Sequence, residues 1–527
     1  MKKVILFLTC FLFVVCTTAR AQKNWDGDES VGNFNWWNNW NPNSNSYEGW
    51  GFGVDLNFNF QNNANATGLY YNLWGWRDIG NIVWKDTYNK SMTLSGEGGG
   101  INFKQKLENY SSFAQTITVD LSGGKSGAPY IELNPVNGNL TLSGNFYNDF
   151  SHDYRVYGMN NRTLTLNTTL GVGLISAANV DFSVEEASNV QVNNIQTWAG
   201  TTTVKAGSFK TGSTVTLASS GIVVSGGTFE TTSANVVVDT GTVNVSSGEY
   251  KLGGNDTVGS LAASGGVVTV ASGATLTANG NSSITGSARA TGGTVAIANN
   301  SRLTLANSST TTSSDLSIGS GATLAGTGGT SGQIKGSGLL SPGNSPGILT
   351  SGSVDLTGGI DFAFEFTAAG APTYSLAGNS KNDLLHLTSG TTPFSGSFSR
   401  ENTVSFYFND AGLSASLASL TPTTYLGGFF VDSSSFDIAG LLSNATKQYF
   451  IAAAGGSTTL NGVSYNLMSN EVASRIILSN VNQSGADFTT GTANGTVLGV
   501  MAVPEPSAFS LLAVGLGGLA VMRRRRS

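Results

Sequence analysis

The chain has 527 residues, room for roughly two to four domains, and only 11% of them are charged, against roughly 25% in an average soluble domain. Glycine, at 69 residues, is about twice its usual frequency, and Asn, Ser and Thr stand where charge usually does. Aromatic residues at 10% separate the chain from a disordered low-charge polymer, and a formal charge of −6 gives no electrostatic basis for binding nucleic acid.

Residues 1–21 have the form of a secretory signal peptide. Lys2 and Lys3 are followed by an apolar run from Val4 to Val15, and Ala19-Arg20-Ala21 makes an A-x-A cleavage site before Gln22. The apolar run is shorter than the ~20 residues a spanning helix needs. Export through the general secretion machinery follows. The only cysteines, Cys10 and Cys16, lie inside this leader. The exported chain therefore has no disulfide framework and no thiolate chemistry.

Residues 22–120 form a Trp/Asn-rich block that holds eight of the nine tryptophans, from Trp25 to Trp84. Two readings stand side by side. Its aromatics either seal the end of a repeat stack, which needs atypical terminal units, or form platforms on which sugar rings stack. Val54 to Phe60 alternates with period two and predicts a strand.

Residues 121–350 repeat themselves loosely. Gly265–Thr277 aligns with Gly292–Thr304, so that Val268 matches Val295, Val270 matches Ile297 and Leu276 matches Leu303. Related starts at Gly207, Gly227 and Gly241 give uneven spacings. Alternation turns Val268 and Val270 inward and Thr269 outward. The expected fold is all-β, a right-handed parallel β-helix of variable loop length, with the Trp/Asn-rich segment as its N-terminal cap. Residues 351–502 are a further β-rich segment expected to cap or extend the solenoid, with one helical piece over residues 470–479. The segment closing at Gly338-Leu339-Leu340-Ser341-Pro342-Gly343-Asn344-Ser345-Pro346-Gly347 resembles the autotransporter-associated β-strand repeats of exported surface proteins. No translocating barrel follows it.

Residues 503–527 combine Pro504-Glu505-Pro506, an apolar stretch from Ala508 to Met522, and Arg523, Arg524, Arg525 and Arg526. The stretch predicts a short transmembrane helix with the arginines on the cytoplasmic side. This tail resembles the PEP-CTERM sorting signal, also catalogued as an ice-binding-protein C-terminal motif. The resemblance implies recognition near the triplet by an exosortase-type membrane protease. Delivery to the cell surface or an exopolysaccharide matrix then follows.

Signals for chemistry are sparse. Gly343-Asn344-Ser345-Pro346-Gly347 fits the G-x-S-x-G nucleophile elbow, and Asp383 and His386 follow in triad order, but Pro346 disfavours the turn. His152 and His386 are the only histidines and form no zinc motif. Asp26-Gly27-Asp28-Glu29 lacks a full calcium ligand series, and Glu185 and Glu186 are chain neighbours with opposite directions on a strand. The expectation is a non-catalytic protein without cofactor or metal, acting in adhesion or exopolysaccharide organisation. Two alternatives remain. One is an ice- or carbohydrate-binding module, using T-x-T pairs such as Thr163/Thr165, Thr214/Thr216 and Thr275/Thr277. The other is a polysaccharide-acting β-helix enzyme.

Overall fold

The computed structural model describes residues 22–25, 40–41, 55–58, 68–71 and most of 76–502. The longest interruptions within that last range are 368–382, 410–423, 433–441 and 484–494. The chain divides into two units, Met1–Ile175 and Ser176–Ser527. Both are all-β and mostly parallel solenoids with almost no helix, about 12 turns in all.

In the first unit the strands Met92–Gly96, Gln115–Ile117, Leu140–Leu142 and Thr163–Leu166 stack in parallel. Alternation fills the interior with a column of Leu94, Ile117, Leu142 and Leu166, all essentially inaccessible. Burying each such side chain contributes about 1.5–3 kcal/mol. A separate five-stranded sheet closes another face, in the order Arg77–Ile79, Gly100–Phe103, Asp120–Ser122, Phe146–Tyr147 and Leu170–Val172. Parallel pairing already operates ahead of residue 120, since Asp55–Phe58 lies between Gln22–Trp25 and Ile82–Trp84. The strand expected over Val54–Phe60 is present as Asp55–Phe58.

In the second unit the positions Asn189, Ser208, Thr228, Glu249, Val267 and Arg289 stack one above another, 19, 20, 21, 18 and 22 residues apart. Inside that face runs an aromatic ladder. The rings of Phe209 and Phe229 are 5.2 Å apart and those of Phe229 and Tyr250 are 5.5 Å apart, both nearly coplanar in orientation. The coil is therefore more regular than the glycine spacings suggest. Gly207, Gly227, Gly248 and Gly266 share one corner column, whereas Gly241 belongs to a different corner.

The sequence alignment of Val268 with Val295 also proves to be displaced. Val268 stacks on Ala290, and it is Leu276 that stacks on Val295. Residues 267–270 and 275–278 carry the same alternation on successive faces of one coil, so the repeat pattern alone does not tell the faces apart.

Two devices let coils approach this closely. At the Gly207 column a Cβ on Gly227 would lie 2.7 Å from the Gly207 carbonyl oxygen, and one on Gly266 would lie 2.6 Å from that of Gly248. Elsewhere an Asn or Asp side chain accepts the backbone N–H of the next coil. Asn81 holds Lys106 and Asn139 holds Thr163, each at 3.0 Å. In the second unit Asp181 holds Thr201 at 2.6 Å, Asn255 holds Thr275 at 2.9 Å, and Asn281 holds Arg302 at 3.0 Å. Each donor sits one coil beyond its acceptor. These clips satisfy N–H groups that the corner leaves outside the ladder.

Towards the C-terminus the coils lengthen, and Phe364, Phe406 and Tyr449 form a second stack. The parallel order then ends. Thr446–Ala452 pairs antiparallel with Val463–Leu467, and Gly495–Ala502 pairs antiparallel with both Thr424–Asp432 and Ile476–Gln483. The helix expected over 470–479 is reduced to Asn470–Ala473, because Ile476 onward joins this sheet. β-Branched residues beside an unpaired edge favour the strand.

Gly248 has φ of 78°, and a Cβ there would run into the Gly227 carbonyl oxygen, whereas Gly273 has the same φ with nothing within 4 Å. Gly273→Ala should cost about 1 kcal/mol of backbone strain and Gly248→Ala clearly more, at least about 2–3 kcal/mol. Urea unfolding midpoints of the two variants measure the difference.

Candidate functional site

The junction phrase is the first place to look for chemistry. Strands Leu339–Pro342 and Ile348–Asp355 flank it, so a strand and not a helix follows Gly347. Asn344, Ser345 and Pro346 lie outside the described residues. Asp383 packs directly against the two flanking glycines. Its Oδ1 accepts the Gly347 N–H at 3.0 Å, its Oδ2 accepts the Glu365 N–H at 2.8 Å, and a Cβ on Gly343 would collide with it. With both oxygens on backbone N–H groups, Asp383 clamps the junction. His386 sits between two inward leucines of the strand Leu384–Leu387, in register with Thr350.

Beside Asp383 lies Glu365, also fully buried. Its Oε1 accepts Asn409 Nδ2 at 2.9 Å and the Tyr465 hydroxyl at 3.0 Å, and its Oε2 accepts Asn461 Nδ2 at 3.2 Å. These donors come from two distant stretches of chain, Asn409 from one and Asn461 with Tyr465 from the other. The network fastens the antiparallel hairpin onto the last parallel coils. Burial pushes the Asp383 carboxyl well above the usual range, and the neighbouring Glu365 charge adds to it, while the two N–H donors pull it back. Burial and the Glu365 carboxylate likewise push the Tyr465 phenol up.

A second buried carboxyl, Asp256, is 2% exposed. Burial pushes it up to about 6, although it accepts N–H groups from Val236, Val237 and Thr257. Like Asp383, it holds backbone in place at a corner.

The other residues singled out from the sequence fall apart in space. His152 donates its Nε2–H to the Gly124 carbonyl oxygen at 2.9 Å. Glu185 pairs with Lys205 at 2.7 Å, one coil on, while Glu186 is exposed at the same corner. Among the described residues no three His, Cys, Asp or Glu side chains are grouped to hold a metal ion. The Asp26–Glu29 segment, Ala19, Ala21, Pro504, Glu505, Pro506 and Arg523 to Arg526 lie outside the described residues. Gln22 opens the strand Gln22–Trp25. No helix of the described residues is long and apolar enough to cross a membrane.

Two surface patterns were not visible in the sequence. The first is a threonine rank on the first unit. Thr93, Thr116, Thr141 and Thr165 are in register on four successive coils, each facing outward between two buried positions. Among the described residues none of these four hydroxyls has a hydrogen-bond partner. Of the T-x-T pairs, Thr163/Thr165 belongs to this rank, whereas Thr277 stacks between Thr257 and Ala296. The second is charge alternation along the stack. Lys210, Glu230 and Lys251 form a ladder at 3.0 and 3.6 Å, and Lys106 meets Glu132 at 3.0 Å. Such exposed pairs contribute at most about 1 kcal/mol each, but they keep like charges from stacking one strand apart.

The PEP-CTERM protein-sorting motif is found at residues 502–526. It implies export and sorting to the cell surface by an exosortase, a membrane protease. No curated protein and no solved structure matches the chain.

The raised Asp256 and Asp383 carboxyls fix a direction for pH dependence. A carboxyl whose folded pKa is raised stabilises the fold fully below its ordinary range and loses that contribution as pH rises through the folded value. Stability of the protein should therefore fall between pH 4 and pH 7. For Asp256 the loss is on the order of 2–3 kcal/mol, from a displacement of about two units. Asp256→Asn should lower stability at pH 4 and flatten the decline, as read from urea midpoints across that range.

Proposed function

We propose that the chain is an exported, non-catalytic β-solenoid, displayed on the cell surface or laid into an exopolysaccharide matrix, where it acts in adhesion or matrix organisation. The observation that carries this reading is the sorting motif at 502–526 behind a body built almost wholly of stacked parallel strands. In this reading residues 1–21 are the leader that engages the secretion machinery and the Trp/Asn-rich block caps the N-terminal end. The junction at Gly338–Gly347 closes a right-handed, autotransporter-like repeat region. The apolar stretch Ala508–Met522 holds the chain in the membrane until the exosortase acts near Pro504-Glu505-Pro506. A solenoid suits display, because repeat stacks extend a long polar surface from a narrow core. The commitment of Asp256, Glu365 and Asp383 to internal hydrogen bonds supports a structural role. A polysaccharide-acting enzyme would need converging carboxylates open to substrate.

A second reading, ice binding, is favoured by the threonine rank on the first unit. Its four hydroxyls repeat in register at the strand spacing of ~4.8 Å, which is the kind of ordered array a water lattice can match. Thr141→Tyr would interrupt the rank at its middle without touching the core. Loss of most thermal hysteresis in this variant, with Thr275→Tyr unaffected, supports ice binding. A wild type without thermal hysteresis rejects it.

For the first reading, intact mass and cell fractionation are compared for the wild type and Glu505→Ala in the native host. The expected outcome is loss of the residues after the triplet and release from the membrane in the wild type only. An uncut, membrane-held wild type would reduce the tail to an anchor.

A further inference from the structure

Two tryptophans of the Trp/Asn-rich block have opposite fates. Trp84 is fully buried, while Trp76 is 40% exposed. Trp76 directly precedes Arg77–Ile79, the edge strand of the five-stranded sheet in the first unit. A Cβ on Gly100 would fall nearest the Cζ3 atom of the Trp76 ring, with its neighbours Cη2 and Cε3 at 2.6 and 2.7 Å. Distances this short to both neighbours place that point above the ring plane, so one face of the indole lies on the Gly100 backbone. Any side chain at 100 would lift it. The Tyr147 ring stands at 85° to the indole with centroids 5.3 Å apart, making an upright corner.

Two residues along the same edge strand is Asp78, whose Oδ1 accepts Asn102 Nδ2 at 2.7 Å. Both project outward beside the indole, about 7 Å from it along the strand. Among the described residues Asp78 Oδ2 and Asn102 Oδ1 have no partner. The patch thus joins a rigid aromatic platform, an aromatic wall and two free, prealigned acceptors.

A hexopyranose ring has the complementary chemistry. Its axial C–H face is weakly positive and sits on the negative face of an indole. Its equatorial hydroxyls donate to carboxylate and amide oxygens, and hydrogen bonds to the carboxylate are charge-assisted. An indole already held by Gly100 and Tyr147 loses little freedom on binding. The carboxylate of Asp78 and the net charge of −6 disfavour phosphorylated or polyanionic partners. We propose that Trp76, Tyr147, Asp78 and Asn102 form a binding subsite for a hexopyranose unit of an uncharged polysaccharide. The inference rests on the matrix reading above for its setting, though not for its geometry.

The test titrates the full-length exported protein with cellohexaose, maltohexaose and hexagalacturonate, followed by calorimetry. Binding of at least one uncharged hexasaccharide, and weakening by at least about tenfold in Trp76→Ala, is expected. Gly100→Ala, which keeps the indole but displaces it, should weaken binding as well, and Phe113→Ala should leave it unchanged. Equal binding by Trp76→Ala and wild type, or no binding of either uncharged sugar, overturns the proposal. A preference for hexagalacturonate overturns the uncharged class. The same preparations are fractionated and weighed. Normal processing at the triplet without sugar binding removes the subsite alone, whereas sugar binding without processing removes the sorting reading alone.

Discussion

In a stack of parallel coils each coil pairs with the next along its strands, about 4.8 Å away. That close approach has to continue round the corners, where no ladder exists to satisfy the backbone. The glycine column Gly207, Gly227, Gly248 and Gly266 meets the constraint by removing the Cβ that would strike the carbonyl of the coil below. Asn and Asp meet it by reaching one coil forward, as Asn81, Asp181, Asn255 and Asn281 do. The glycine excess and the asparagine that replaces charge in this chain are two answers to one steric and hydrogen-bonding problem. Charge is scarce for the same reason. A charged side chain stacks at strand spacing on its counterpart one coil away, which is tolerable only in alternation such as Lys210, Glu230 and Lys251.

A parallel stack also has ends, and an open strand edge is a template for unwanted pairing. The second unit ends by changing the mode of pairing. Antiparallel strands Thr446–Ala452 with Val463–Leu467, and Gly495–Ala502 with its two partners, replace further coils. The buried Glu365 joins this region to the coils through Asn409, Asn461 and Tyr465. A buried carboxylate is tolerable when its oxygens are filled with donors, and here two of the three, Asn461 and Tyr465, arrive only when the hairpin docks. Asp383 plays the matching role beside the junction, where it holds the Gly347 and Glu365 N–H groups.

Function divides along similar lines. The tail is an address read by an exosortase, and in the proposed scheme a leader over residues 1–21 joins it in placing the solenoid outside the inner membrane. What the solenoid offers there is surface. One face of the first unit carries the threonine rank, and the five-stranded sheet carries the Trp76 corner. Neither depends on a catalytic group, and both arise because register brings residues from successive coils side by side.

The strands and the sorting tail were legible in the sequence because their signals are local. Period-two alternation and a triplet before an apolar run keep their meaning whatever packs against them. Register was not legible. Successive faces of a coil carry the same alternation, so matching Val268 to Val295 reads as well as the true partner Ala290. Thr93, Thr116, Thr141 and Thr165 lie 23, 25 and 24 residues apart, and only coil closure aligns them. The same holds for Ile476–Gln483, whose strand depends on a partner sheet contributed by other segments. Trp76 and Trp84 differ by eight positions and end on opposite sides of the wall. The sequence by itself determined that the chain would fold into stacked, alternating strands ahead of a C-terminal sorting motif. Which side chains share a column, a corner or a surface was decided only by tertiary structure, because those neighbours are set by the length and closure of each coil and not by any local pattern.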